Sequence, residues 1–80
     1  MILNIKYFGV LAEITKKKEE QLVLEDSNVT LNSLKMKMES AYQELQKNNY
    51  SIAVNQAMVG MDTAIKDQDV IAFLPPFAGG

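Results

Sequence analysis

The chain has 80 residues, 48% of them apolar, with ten acidic and eight basic side chains and a formal net charge of −2. It is sized for one domain with a packed core, and with no cysteine and no histidine it has no disulfide scaffold, no thiolate metal site, no cysteine nucleophile and no imidazole base. The basic residues are all lysine and nowhere dominate, so nucleic acid is not expected as a partner; no apolar run approaches the ~20 residues needed to cross a membrane, and the N-terminus lacks a leader pattern, so a cytoplasmic protein is expected.

Residues 2–8 alternate around Leu3, Ile5 and Tyr7, which predicts a strand. Gly9 breaks it, and Val10 to Ile14 suits a single helical turn. Residues 15–20, including Lys16-Lys17-Lys18 and Glu19-Glu20, read as a solvated loop. Gln21 to Glu25 is a second strand, with Leu22 and Leu24 on one face, and the pair reads as a hairpin. Asp26-Ser27-Asn28 is turn chemistry. Leu31, Leu34, Met38, Ala41, Tyr42 and Leu45 then recur at spacings of three and four, one face of a helix over 31–46. Thr30 is its expected N-cap, and Val29 can pack on Leu34 as a staple. Ser33 stands where a capping box has Glu or Gln, so the box is expected to be incomplete. Lys47-Asn48-Asn49 ends the helix, with Asn as a left-handed residue. Ser51 to Gln56 and Met58-Val59 read as strands, Gly60 as a turn and residues 63–69 as a polar loop. Val70 to Leu74 is a continuous apolar run, which suits a central strand buried on both faces.

One amphipathic helix with five strands, in the order β-β-α-β-β-β, predicts a two-layer α+β domain over residues 1–80. A central last strand must lie beside the first and parallel to it, through a right-handed crossover. That is the β-grasp, or ubiquitin-like, arrangement: a mixed sheet packed on one main helix.

The sequence closes on Gly79-Gly80. Two glycines present a carboxylate on a backbone thread that can enter a channel too narrow for any side chain. Pro75-Pro76 stiffens the approach by fixing φ, and the six residues after Leu74 could reach ~20 Å when extended. Residues 75–80 are therefore expected to be a tail.

The stretch from Ile65 to Gly80 resembles the end of the small, sulfur-carrying subunit of molybdopterin synthase (the MoaD type). That family closes with an acidic turn, a strand ending in an aromatic, Pro-Pro, two variable residues and Gly-Gly. Val54-Asn55-Gln56 is similar to the family's third-strand motif, as is the opening strand ending Tyr7-Phe8 with its helical turn. The chain departs from the pattern at Gln68, where the family has glycine, which implies a different turn or mild strain. It departs again at Ala12-Glu13, where an arginine often precedes the glutamate. Phe77 is bulkier than the usual aliphatic residue.

The resemblance implies that Gly80 is the reacting group. An activating enzyme would adenylate it with ATP, and a sulfur donor would convert it to a thiocarboxylate. The large catalytic subunit, in an expected heterotetramer, would take the tail and pass sulfur to a pyranopterin. No permanently bound cofactor and no metal are implied. Gly79, Ala78 and Phe77 would form the inserted tail; Phe73, Pro75, Pro76 and Phe77 would meet the partner. From its place in a strand expected to be central, Phe73 reads as a core residue ahead of a partner contact, and Asp67 and Asp69 read as turn residues rather than a metal pair. The competing readings are a thiamine-type sulfur carrier, which usually lacks Pro-Pro, a ubiquitin-like protein modifier joined through Gly80 to a lysine, and a β-grasp binding module with an incidental glycine end.

Overall fold

The structure is a computed structural model that describes residues 1–76. The expectations placed on Phe77, Ala78, Gly79 and Gly80 lie outside the described residues.

Strand β1 (Ile2–Tyr7) puts Leu3, Ile5 and Tyr7 into the core, as its alternation predicts. Helix α1 (Val10–Thr15) follows at once and buries Leu11; the Thr15 hydroxyl donates back to the Leu11 carbonyl at 3.1 Å. Lys16, at φ 62°, ends it in the left-handed region. Strand β2 (Glu19–Val23) pairs antiparallel with β1, Ile5 opposite Glu20 and Leu3 opposite Leu22. The hairpin is as expected, but two residues placed in the polar loop belong to the strand. Glu20 falls on the core-facing side, where it finds hydroxyl partners.

A two-residue strand, β3 (Val29–Thr30), leads into helix α2 (Leu31–Ala41), whose N-cap is Thr30. The capping box is complete, contrary to expectation. Thr30 Oγ1 accepts the Ser33 N–H at 3.1 Å, and Ser33 Oγ accepts the Thr30 N–H at 3.0 Å. A serine hydroxyl can thus close the reciprocal pair usually made by Glu or Gln. Leu31, Leu34 and Met38 are buried, together with Val29 from the staple position. The helix is shorter than its periodicity suggests. Tyr42 leaves helical geometry at φ −126° and ψ 85°, and a 3₁₀ helix (Gln43–Lys47) continues the path. Leu45 still reaches the core, whereas Ala41 is exposed. Asn48 is extended rather than left-handed; its side-chain amide caps the end by donating to the Glu44 carbonyl at 2.9 Å.

Strand β4 (Ser51–Val54) stops two residues early, because Asn55 and Gln56 both take positive φ (51° and 67°). Two such residues make the tight hairpin turn that matches strand twist, and they lead into β5 (Ala57–Met58). The region read as a polar loop contains β6 (Ala64–Ile65), paired with β3 in a small second sheet. Strand β7 (Val70–Leu74) lies at the centre of the main sheet, whose order is β2-β1-β7-β4-β5. It runs parallel to β1 and antiparallel to β4. The β-grasp topology is therefore present.

One expectation for β7 is corrected. Ile71 and Phe73 are completely buried on the helix side, but Val70, Ala72 and Leu74 are only half-buried. The strand is central in its hydrogen bonding and covered on one face only. With a single helix layer, the outward side of β7 remains half-exposed among the described residues.

Candidate functional site: the root of the C-terminal segment

The chain leaves the sheet at Leu74, which sits opposite Ser51 on β4. On the other side the Phe8 N–H donates to the Phe73 carbonyl at 3.1 Å, which ties the end of β1 to the end of β7. Pro75 has no N–H and cannot extend the ladder, so the sequence itself stops the strand there. Pro75 is half-buried and Pro76 exposed. Pro75 lies against Gly9, where a β-carbon would meet Pro75 Cγ at 2.9 Å. Gly9, at φ 55° and ψ −132°, occupies the first central position of a type II′ turn closed by the Leu11 N–H on the Phe8 carbonyl at 3.0 Å. That position favours glycine.

Beneath this exit lies an aromatic footing. The Phe73 ring is held between Tyr7 and Tyr50, with centroids at 5.6 Å and 5.5 Å, and Tyr42 meets Tyr7 edge-on at 6.1 Å. Edge-on and tilted pairs at such separations add to the burial of the rings themselves. Phe73 has no exposed surface, so it is withdrawn as a partner contact. Its inward position follows from strand parity, two residues beyond Ile71.

The tyrosines are fixed through their hydroxyls. Tyr7 and Tyr42 both donate to Glu20 Oε2, Tyr42 at 2.9 Å, and Lys17 Nζ lies 3.3 Å from Oε1. Burial pushes the Glu20 carboxyl up, but the hydrogen bonds from Tyr7, Tyr42 and Lys17 together hold it below its ordinary value. Burial, then Glu20, raises the Tyr7 hydroxyl far above its ordinary value; burial, then Glu39, does the same for Tyr50. Both hydroxyls therefore stay protonated as donors.

Phe8 and Leu74 come directly after the paired Tyr7 and Phe73, so they turn to the outer face of the sheet. Phe8 is 45% exposed. The next row across this face is Lys6, Ala72, Ala53 and Met58, and Met58 is 65% exposed. Large apolar groups around small ones, directly beside the exit, form a candidate docking face. Reasoning from sequence missed Phe8, Gly9 and Met58. A signal for Phe8 was present: a residue that comes after core positions 3, 5 and 7 must point outward.

At the opposite end of β7 the two aspartates are turn residues. Asp67 Oδ1 accepts the Ile2 N–H at 2.6 Å; Asp69 accepts the Lys66 N–H at 2.8 Å and the Asn55 side-chain amide at 2.9 Å. The turn closes by the Asp69 N–H on the Lys66 carbonyl at 3.1 Å, and Gln68 takes φ 70°. Of the two expectations for Gln68, a different turn or mild strain, the positive φ on a non-glycine residue accords with strain. Among the described residues no group of three or more His, Cys, Asp or Glu could hold a metal ion, and no helix is long and apolar enough to cross a membrane.

A five-stranded mixed sheet over one main helix, with a proline-led exit from its central strand, defines a ubiquitin-like β-grasp module. The chain belongs to the ThiS family, whose model matches residues 5–80. It is 29% identical to the molybdopterin synthase sulfur carrier subunit of Haemophilus influenzae, over 99% of this chain and 100% of that one. It is 28% identical to the protein of the same name from Mycobacterium tuberculosis, over 98% and 96% of the two chains. Among solved structures, it is similar to a chain in the complex of subunits 1 and 2 of the molybdopterin-converting factor of Helicobacter pylori, with TM-score 0.69 and 26% identity over 100% of both chains. The small archaeal modifier protein 1 of Haloferax volcanii superposes with TM-score 0.82 at 17% identity, over 95% and 98% of the two chains. At that identity the likeness is one of fold.

Proposed function

We propose that the chain is the sulfur-carrier subunit of a molybdopterin synthase and works in the cytoplasm. The observation that carries this reading is the end-to-end match to two sulfur carrier subunits of that enzyme, in a chain whose last residues are Pro75-Pro76-Phe77-Ala78-Gly79-Gly80. In this reading the Gly80 carboxylate attacks the α-phosphate of ATP on an activating enzyme and releases pyrophosphate. A donor of sulfide-level sulfur then attacks the acyl carbon, displaces AMP from the acyl-adenylate and leaves a thiocarboxylate. The large synthase subunit receives the tail; the thiocarboxylate sulfur bonds to a carbon of a pyranopterin, and water then attacks the acyl carbon and breaks its bond to that sulfur, regenerating the Gly80 carboxylate. This chain contributes the reacting end, a stiff exit at Pro75-Pro76 and a docking face around Phe8, Leu74 and Met58. Acid–base groups and nucleotide belong to the partners, which fits a chain without cysteine or histidine. Phe77 is proposed to seat in the partner's groove, because an aromatic beside an exposed proline is a favourable interface anchor.

The test is a reconstituted sulfur-transfer assay with the large subunit. Replacing Gly79 by leucine, or adding one residue after Gly80, should leave the folded domain intact and abolish product formation. Unchanged product formation would overturn the reading. One alternative uses the same terminus differently: Gly80 is joined to a lysine of another protein. That alternative predicts covalent adducts in place of exchange of oxygen for sulfur.

A further inference from the structure

We propose that Gly9 is a positioning residue: its bare α-carbon is the seat for the Pro75 ring, and the pair sets the direction in which the C-terminal segment leaves the sheet. The inference rests on the reading that this segment carries the chemistry.

Three observations converge on the pair. Leu74 is the last residue of the sheet, held between Ser51 on one side and the Phe8–Phe73 hydrogen bond on the other. The next residue is a proline, whose ring fixes φ and so transmits its own orientation to the residues after it. That ring rests on Gly9, where an added β-carbon would come within 2.9 Å of Cγ. A ring atom cannot swing aside as the end of a long side chain can, so the proline itself must shift. Because Pro76 is a second proline with a fixed φ, a small rotation at Pro75 is passed on through Pro76 rather than absorbed there.

The turn alone also asks for glycine at position 9, at φ 55°. A purely local role would therefore make Gly9→Ala costly without any consequence for Pro75. The two roles separate in a double-mutant cycle, since Pro75→Ala removes Cγ while leaving the turn untouched.

The experiment uses the full-length chain with the large subunit and has two readouts. In the free protein, NMR should show close contacts between the Gly9 α-protons and the Pro75 γ-protons. Gly9→Ala should abolish them and shift Pro76, with core resonances retained. In sulfur transfer at saturating large subunit, Gly9→Ala should lower the rate per folded molecule by about ten- to a hundred-fold, the scale expected of a small misplacement of a reacting group. In the Pro75→Ala background the same substitution should cost little. If Gly9→Ala does not fold, Pro75→Gly loosens the seat from the other side and should show the same rate loss. Absence of the Gly9–Pro75 contact in the wild type overturns the seat itself. Full transfer by a variant whose Pro75 has moved, or equal losses in both backgrounds, overturns the positioning role. A chain that shows the contact but transfers no sulfur even as wild type instead counts against the proposed function.

Discussion

At the scale of single residues, the outcome turns on which way each side chain faces. Phe73 and Leu74 are neighbours in one apolar run, yet Phe73 is fully buried and Leu74 turns outward. Truncating Phe73 to alanine should cost about 3–5 kcal/mol in chemical denaturation, and its effect on partner binding should vanish once corrected for the folded fraction. Gln68 is a different case, because a left-handed φ of 70° costs a side-chain-bearing residue about 1–2 kcal/mol. Glycine would give back part of that gain through its freedom in the unfolded chain. Gln68→Gly should therefore raise stability by about 0.5–1 kcal/mol, read from the urea midpoint, without changing the fold. Both residues were legible in the sequence, Phe73 by parity and Gln68 by its departure from glycine. The Ser33 side of the cap was not, because a serine can serve the backbone in several ways and sequence does not say which it takes.

At the scale of elements, long patterned segments were readable and short ones were not. The first strand, the main helix and the last strand carry enough apolar positions to reveal their period. Strands of two residues such as β3 and β6 carry none; Ile65 is buried in the common core opposite its partner Val29, a placement set by tertiary pairing. The end of α2 was misjudged because Tyr42 obeys a tertiary demand. Its hydroxyl reaches Glu20 on β2, and the helix gives way to a 3₁₀ turn that still delivers Leu45 to the core. This Glu20 cluster joins β1, β2 and the end of α2 and should show in the pH dependence of stability. A carboxyl held below its ordinary value of 4.5 stabilises the fold above that value, and the contribution fades as pH falls through the lower folded value. The stability difference between wild type and Glu20→Gln should accordingly be largest near neutral pH and shrink in acid. A difference independent of pH would show that the hydroxyls, not the charge, make the contribution.

At the scale of the whole molecule, the β-grasp order came from one helix stripe and a last strand too apolar for an edge. What the pattern could not supply was the single-sided cover of the sheet, and with it the outer face beside the tail's exit. Parity places Phe8 there, but only the registers among β1, β7, β4 and β5 bring Met58 into the neighbouring row. The domain then reads as a rigid mount: aromatic rings under Phe73, hydrogen bonds on both sides of the strand end, and prolines that carry the direction onward. The central claim is that the mount serves the carboxyl group of Gly80. Intact mass spectrometry after incubation with ATP, an activating enzyme and a sulfur donor tests it most directly. The account predicts a mass increase equal to replacing one oxygen by sulfur, lost when Gly80 is deleted. An unmodified chain under conditions that load a known sulfur carrier, or a mass increase that survives deletion of Gly80, would contradict it.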